Sequence, residues 1–308
     1  MATKGMDRVF ISVSSLEDSL AFYRDWIGME VVAEQILEPD KIQQLWNLPG
    51  GTEARAVFLK DEVQSTLLEL IEFTPNSGRM IREGAKPWDY GLYDIAFFVK
   101  DIAACYRDLT EKGFTFVSPP IQYQPNWIPY AVKEAILIGP DNVPIAHIER
   151  MTSEECESQD KYIRLIDSAQ IVENMSDVVK FYGNILGLDL LGELDLPEGL
   201  VDDVLTIPPG TKVRMAFLNK KDENALIAEF LQLSVKGKSL ASVARPPNLG
   251  LFMISFEVDA LLSLMETFKK EGISILSGPV ESHTKVHGKM RAITVEGPSG
   301  VMIELFER

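Results

Sequence analysis

The chain has 308 residues, of which 46% are hydrophobic and 25% charged, and its formal net charge is -16. That length suits two domains of ordinary size or one large one, with enough apolar residues for a substantial core. So acidic a field repels polyanions, which argues against nucleic acid or an anionic membrane surface as partner. No apolar run reaches the roughly 20 residues that cross a bilayer, and "MATKGMDRVF" holds no signal-peptide hydrophobic region, so the cytoplasm is the expected location. Cys105 and Cys156 are too few for a disulfide framework.

From the N-terminus, "DRVFISV" reads as a strand with Val9, Ile11 and Val13 on one face. Leu16, Leu20, Tyr23 and Ile27 then recur at helical spacing, and Gly28 ends the helix. Three strand-like runs follow, around Glu30 to Gln35, in "ARAVFL" and in "STLLELIEF". The order then starts again: strand "DIAFFV", helix "DIAACYRDLTEK" stopped by Gly113, and the strand-like runs "TFVSPP", "VKEAILIG" and "VPIAHIE". Residues 151–160, "MTSEECESQD", are polar, acidic and aperiodic, as a surface linker is.

Beyond the linker the whole arrangement recurs. "SLEDSLAFYRDWIGMEVV" finds its counterpart in "NMSDVVKFYGNILGLDLL", and an offset of 159 residues carries Phe22, Tyr23 and Gly28 to Phe181, Tyr182 and Gly187. "LPGGTEARAVFL" matches "IPPGTKVRMAFL", "LLELIEF" matches "IAEFLQL" with Glu69 facing Glu229, and "GPDNVPIAHIER" matches "GPSGVMIELFER". The expected organisation is therefore two modules, 1–150 and 161–308, each of two βαβββ units.

The run "SLAFYRDWIGMEVV" after a first strand, with "GPDNVPI" or "GPSGVMIEL" before a last one, resembles the vicinal oxygen chelate superfamily. That family includes glyoxalase I, extradiol dioxygenases, methylmalonyl-CoA epimerase and bleomycin-resistance proteins. The resemblance implies an α+β fold of paired βαβββ units whose curved sheets surround a cavity, with the function set by the site rather than by the fold. It also implies four metal-ligand positions per module, usually held by His, Glu or His, His, and Glu. Carried over one at a time, they fall on Arg8, Glu69, Asp94 and Ala146, and on Asp167, Glu229, Met253 and Glu304. None of these is histidine. Extradiol cleavage, which needs two imidazoles and a carboxylate on iron, is therefore not expected.

Two pairings of the units are compatible with the sequence. Pairing within modules groups Arg8, Glu69 and Asp94, and separately Asp167, Glu229 and Glu304. Crossed pairing groups Arg8, Glu69, Glu304 and Met253, and separately Asp167, Glu229 and Asp94. Either way one cavity holds Arg8 and the other collects three carboxylates. In the first, Arg8 is a candidate holder of a developing oxyanion, with Glu69 or Glu304 as catalytic base. In the second, Asp167 and Glu229 are candidate ligands of a hard cation such as magnesium, manganese or calcium, the alternative being no metal. A buried Glu69 or Glu229 also needs a partner, and Arg55 or Arg214 is the structural alternative.

Asp94, Trp127, Tyr130, His283 and His287 are candidate substrate contacts: the aromatics because loop rings make a lid or wall, the histidines because "SHTKVHG" suits a loop near a cavity mouth. Trp88, Tyr90 and Tyr93 add rings beside the presumed cavity, and His147 alternates away from the ligand face. No nucleotide-binding or serine-hydrolase motif is present, so no nucleotide cofactor is expected. The reading is a lyase or isomerase that abstracts a proton from a small, hydrophobic or aromatic molecule. Sequestration of a drug or metabolite is the alternative, as a monomer or homodimer.

Overall fold

The computed structural model describes residues 3–125, 127–152, 162–221 and 223–308. The expected linker therefore falls almost entirely outside the described residues, as does Cys156.

The first unit runs β1 (Thr3–Val13), α1 (Leu16–Tyr23), β2 (Glu30–Ile36), α2 (Pro39–Trp46), β3 (Glu53–Lys60) and β4 (Leu67–Thr74). The second holds β5 (Gly91–Val99), α3 (Ile102–Glu111), β6 (Thr115–Phe116), β7 (Ile121–Tyr123), β8 (Ala131–Ile138) and β9 (Pro144–Met151). The third comprises β10 (Tyr162–Val172), α4 (Met175–Val178), β11 (Asp189–Asp195), α5 (Asp202–Leu205), β12 (Val213–Asn219) and β13 (Ile227–Leu233). The fourth is β14 (Gly250–Val258), α6 (Leu261–Glu271), β15 (Ile275–Thr284), β16 (Gly288–Glu296) and β17 (Met302–Glu307).

Local chemistry accounts for the helix the repeat first exposed. The Ser15 side chain caps α1 by accepting from the Asp18 amide, and Gly28 takes φ +97°, open to glycine at no steric cost. The counterpart helix starts with Asn174 capping through the Ser176 amide, then widens into a π-helical stretch over Val179–Ile185. Two short helices, α2 and α5, were not expected from periodicity. Each is brief and ends in a left-handed residue, Asn47 or Thr206, and α2 opens on Pro39, a residue preorganised for a first helical turn.

The strand order settles the pairing as crossed. One sheet reads β15-β16-β17-β14-β1-β4-β3-β2, and the other β11-β12-β13-β10-β5-β9-β8-β6, with β7 on β8. Each sheet thus joins a unit of one half of the chain to a unit of the other, through antiparallel β1/β14 and β10/β5. An approximate two-fold axis relates them: the Ser65 amide donates to the carbonyl of Asn224, its own equivalent at the 159-residue offset.

Alternation along β1 divides the core. Val9, Ile11 and Val13 join α1, α3, α6 and Tyr182 in a large cluster, while Phe10 turns into the concave face of the first sheet beside Trp46, Phe252 and Phe306. The concave face of the second sheet has a separate apolar lining that includes Ala96, Ala146, Leu205 and Met215. The two curved sheets thus enclose two lumens, related by symmetry but lined by different residues.

Candidate functional site

In the first lumen, register places Met253, Phe10 and Glu69 side by side on β14, β1 and β4, with Arg8 two residues along on the same face as Phe10. Glu304 comes from β17, paired with Ser255 of β14. Arg8 donates from Nη1 to Glu69 Oε2 at 2.9 Å, from Nη2 to Glu304 Oε1 at 2.5 Å and from Nε to Asp7 Oδ2 at 2.9 Å. Trp46 Nε1 donates to the other Glu304 oxygen at 3.1 Å. The guanidinium also lies 4.8 Å from the centre of the Phe10 ring and 5.2 Å from that of Phe306.

Arg8, Glu69 and Glu304 are each at most 1% exposed. Burial opposes the charge on Arg8, but Glu304, Glu69 and Asp7 overcome it and hold the group cationic, above its ordinary range. One guanidinium cannot neutralise two buried carboxylates, and burial, aided by the like charge of Glu304, pushes Glu69 up to about 7 against the pull of Arg8. Only about 30 Å³ remains beside this cluster, room for roughly two waters.

Arg8, Glu69 and Glu304 therefore do come together, as crossed pairing requires, but their donors and acceptors are committed to one another and to Trp46. That arrangement corrects the expectation of Arg8 as a holder of substrate charge, since its donors are taken by Asp7, Glu69 and Glu304 and the space beside it is too small for an organic substrate. It also corrects the alternative partners: Arg55 pairs with Glu34 and Arg214 with Glu193, all on the outside. His287 belongs to the same network, with Nε2 3.0 Å from Asp7 Oδ1, and exposed His283 sits over the outer side of this lumen. Neither histidine lines the carboxylate cavity, so these two candidate contacts lie apart from Asp94, Trp127 and Tyr130. The reason is the crossed pairing, which sends the β15/β16 hairpin to the first sheet.

The second lumen repeats the backbone and changes the side chains. Asp94, Ala169 and Glu229 stand in register on β5, β10 and β13, with Asp167 two residues along. Asp167 replaces Arg8, Ala169 replaces Phe10 and Leu205 replaces Trp46, each at the 159-residue offset. β8 adds Glu134, paired with Ile148 of β9 where Ala292 pairs with Phe306 in the other sheet.

With one cation lost and the aromatic plug removed, these acids border open space. An inner cavity of about 60 Å³ is lined by all four, with Ala146, Leu205 and Met215 among its walls. It opens into an outer cavity of about 530 Å³, also bordered by Tyr123, Trp127 and Tyr130. The expected contacts Asp94, Trp127 and Tyr130 thus share one cavity system with Asp167 and Glu229. Trp88, Tyr90 and Tyr93 pack in the surrounding apolar cluster instead, because Tyr93 occupies the position of core Phe252.

The four acids make no ion pair among the described residues. Burial raises Asp94 to about 7, with Glu134 adding to it and Arg82 opposing. Burial, then the charges of neighbouring acids, carries Asp167 and Glu229 well above the ordinary carboxylate range. Burial also raises Glu134, while Tyr123 opposes this by donating its hydroxyl hydrogen to Glu134 Oε2. Asp94 Oδ1 is buried without a hydrogen-bond partner, and Arg82 directs its guanidinium to the carbonyls of Leu92 and Lys86.

Glu134 escaped the sequence reading. A glutamate inside the apolar run "VKEAILIG" was the available signal, but only the β8/β9 register shows which face it takes. His147 is buried, pushed down to about 3 by desolvation, and its Nε2 lies 2.9 Å from the Tyr162 hydroxyl on the side away from the acids.

The family model described as the Glyoxalase/Bleomycin resistance protein/Dioxygenase superfamily matches residues 5–126 and 164–305. The chain belongs to this superfamily. Glyoxalase I from Zea mays is similar in fold, with a TM-score of 0.65 at 15% identity, covering 99% of this chain and 92% of the maize protein. A proposed dioxygenase from Bacillus subtilis subsp. subtilis str. 168 gives a TM-score of 0.61 at 11% identity, covering 99% of this chain and 86% of that one. At these identities the likeness concerns the fold. No curated protein matches the sequence.

Members of the superfamily often bind a divalent metal, and a metal can be tested against the residues present. Neither lumen offers an imidazole at a family ligand position, and among the described residues no three His, Cys, Asp or Glu side chains converge as an ion-holding group. Asp167 and Glu229 share the cavity expected of them, with no third such side chain converging on them as an ion-holding group among the described residues. No helix of the described residues is long and apolar enough to cross a membrane.

Proposed function

We propose that the second lumen is the site of an enzyme of the lyase or isomerase type, moving a proton next to a carbonyl or phenol oxygen of a small organic molecule. The observation that carries this reading is the set of buried Asp94 and Asp167 and half-buried Glu134 and Glu229, without an ion pair among the described residues, around a cavity large enough for a metabolite. Four such groups cannot all be ionised together, so some hold protons near neutral pH. Asp94, raised to about 7 and with one oxygen unpaired, is poised as the base that takes the substrate proton. Asp167 and Glu229, raised further, stay protonated and donate to the substrate oxygen as charge develops on it. A proton passes from substrate carbon to Asp94 while one from Glu229 moves towards the oxygen; Asp94 then delivers its proton to the neighbouring carbon of the enol as Glu229 recovers its own, which isomerises the substrate and restores both acids. Tyr123 holds Glu134 in place through its hydroxyl. Arg8, Glu69 and Glu304 are in this reading a structural cluster.

The test is deuterium incorporation from heavy water into a panel of enolisable carbonyl compounds, followed by NMR. Exchange at one carbon, reduced about 100-fold or more by Asp94→Asn or Glu229→Gln, is the expected result. Exchange unaffected by both substitutions would sink the assignment. The aromatic wall of Tyr123, Trp127 and Tyr130 equally favours a second reading, sequestration without chemistry. That reading gains if a bound compound is recovered undeuterated. Stoichiometric manganese, magnesium or calcium, lost on Glu229→Ala, would return the acids to the role of ligands.

A further inference from the structure

The second lumen changes sign between floor and mouth. The floor carries four acids, whereas the outer cavity is bordered by Arg150 at the end of β9 and Arg164 near the start of β10. Both guanidiniums stack on one ring: their central carbons lie 4.4 and 5.2 Å from the centre of Phe98. Stacking satisfies their faces and leaves their N–H edges for an acceptor. Among the described residues neither side chain has a salt-bridge or hydrogen-bond partner, and Arg164 Nε is buried without one. Burial of half-buried Arg164, and then the like charge of Arg150, work against its positive charge, with Asp61 opposing from a distance.

Exposed Arg150 and half-buried Arg164, stacked on one ring with unfilled donors at the border of a cavity, are complementary to an oxyanion that reaches both. We propose that Arg150 and Arg164 form an oxyanion subsite, and that the ligand is an organic acid. Its carboxylate is held at the mouth while its apolar body passes Trp127 and Ile148 and its uncharged, oxygen-bearing end reaches the acids. This deepens the proton-transfer reading, since it names the substrate class of the same cavity. Reversed entry would set the carboxylate beside Asp94, whose ionised form is the base of the same reading, and like charge disfavours it.

Two fluorescent probes of like shape test it: anilinonaphthalene sulfonate, whose sulfonate stands in for the carboxylate, and phenylnaphthylamine, which lacks it. The wild type is expected to bind the sulfonate about tenfold or more tightly than the neutral probe, with a preference that weakens as salt is raised. Arg164→Gln and Arg150→Gln are each expected to remove most of that preference while leaving the neutral probe unchanged, whereas Trp127→Ala weakens both. Equal binding of the probes by the wild type, or a preference that survives both arginine substitutions, overturns the subsite. Circular dichroism of each variant separates loss of binding from loss of fold. If the arginine effects appear while Asp94→Asn and Glu229→Gln leave deuterium exchange untouched, the proton-transfer reading fails and the subsite stands. The converse pattern rejects the subsite alone.

Discussion

The two lumens share a backbone and differ at a few inward positions, and those positions separate a packed core from a cavity. Around Arg8 the chain places Phe10, Trp46, Phe252 and Phe306, so that a buried cation, its carboxylates and four rings leave about 30 Å³. Around Asp167 it places Ala169, Leu205 and Ile148, and the removed volume reappears as a cavity system that reaches about 530 Å³ in its outer part. The charge follows the volume. Where space is filled, Arg8 is bound to both acids, although burial still raises Glu69; where it is open, the acids stand without an ion pair among the described residues and burial raises all four.

The largest expected effect comes from breaking the compensated lumen. Arg8→Met should destabilise the protein by about 3–5 kcal/mol, because it strands Glu69 and Glu304 in an apolar core, and urea unfolding would report it. A loss below about 1 kcal/mol would contradict the account of Arg8 as their compensating charge.

Filling the open lumen is the complementary experiment. Ala169→Phe gives β10 the ring that Phe10 supplies to β1, and should cut affinity for phenylnaphthylamine by about 100-fold while changing the unfolding midpoint little. Retained affinity would place the ligand elsewhere.

The pH dependence of stability sharpens the contrast further. Asp94 is raised to about 7 in the folded protein, and Asp167 and Glu229 are raised beyond the ordinary range. Over the interval from an unfolded carboxylate pKa near 4 up to these folded values, the native state binds more protons than the unfolded chain. The contribution of these groups to stability is therefore largest below the interval and falls as pH rises through it, by up to about 1.4 kcal/mol per unit for each proton concerned. Asp94→Asn should flatten the fall up to pH about 7, as read from urea midpoints across buffers. An unchanged slope would mean that Asp94 is ionised in the native state.

The smallest effect is expected at Arg55, whose ion pair with Glu34 is more than half exposed on both sides. Arg55→Ala should shift stability by about 0–1 kcal/mol, against the far larger loss at Arg8, and a thermal melt would rank the two. Similar losses would revive Arg55 as a partner of Glu69.

Much of the molecule was legible because periodicity and capping are local. The recurrence of Phe22-Tyr23 at Phe181-Tyr182, the strand alternation of Val9, Ile11 and Val13, and helix-ending Gly28 follow from one stretch of chain at a time. They establish four related units and the superfamily fold, and the eight inherited ligand positions already show that no histidine is present among them. What stayed open was which unit faces which, because pairing between strands from opposite halves of the chain leaves no periodic trace. α5 is a single turn, and α2, as long as α1, lies in a run where no helical spacing was recognised, so the Trp46 plug and its replacement by Leu205 were invisible. Glu134, Arg150 and Arg164 look like ordinary polar residues until the β5-β9-β8 register and the β5/β10 contact bring them to one cavity. The sequence by itself determined the repeat, the fold family and the acidic character of one set of positions. The tertiary structure decided that Arg8 is sealed and Asp94 is open, because volume and charge compensation depend on side chains from opposite halves of the chain.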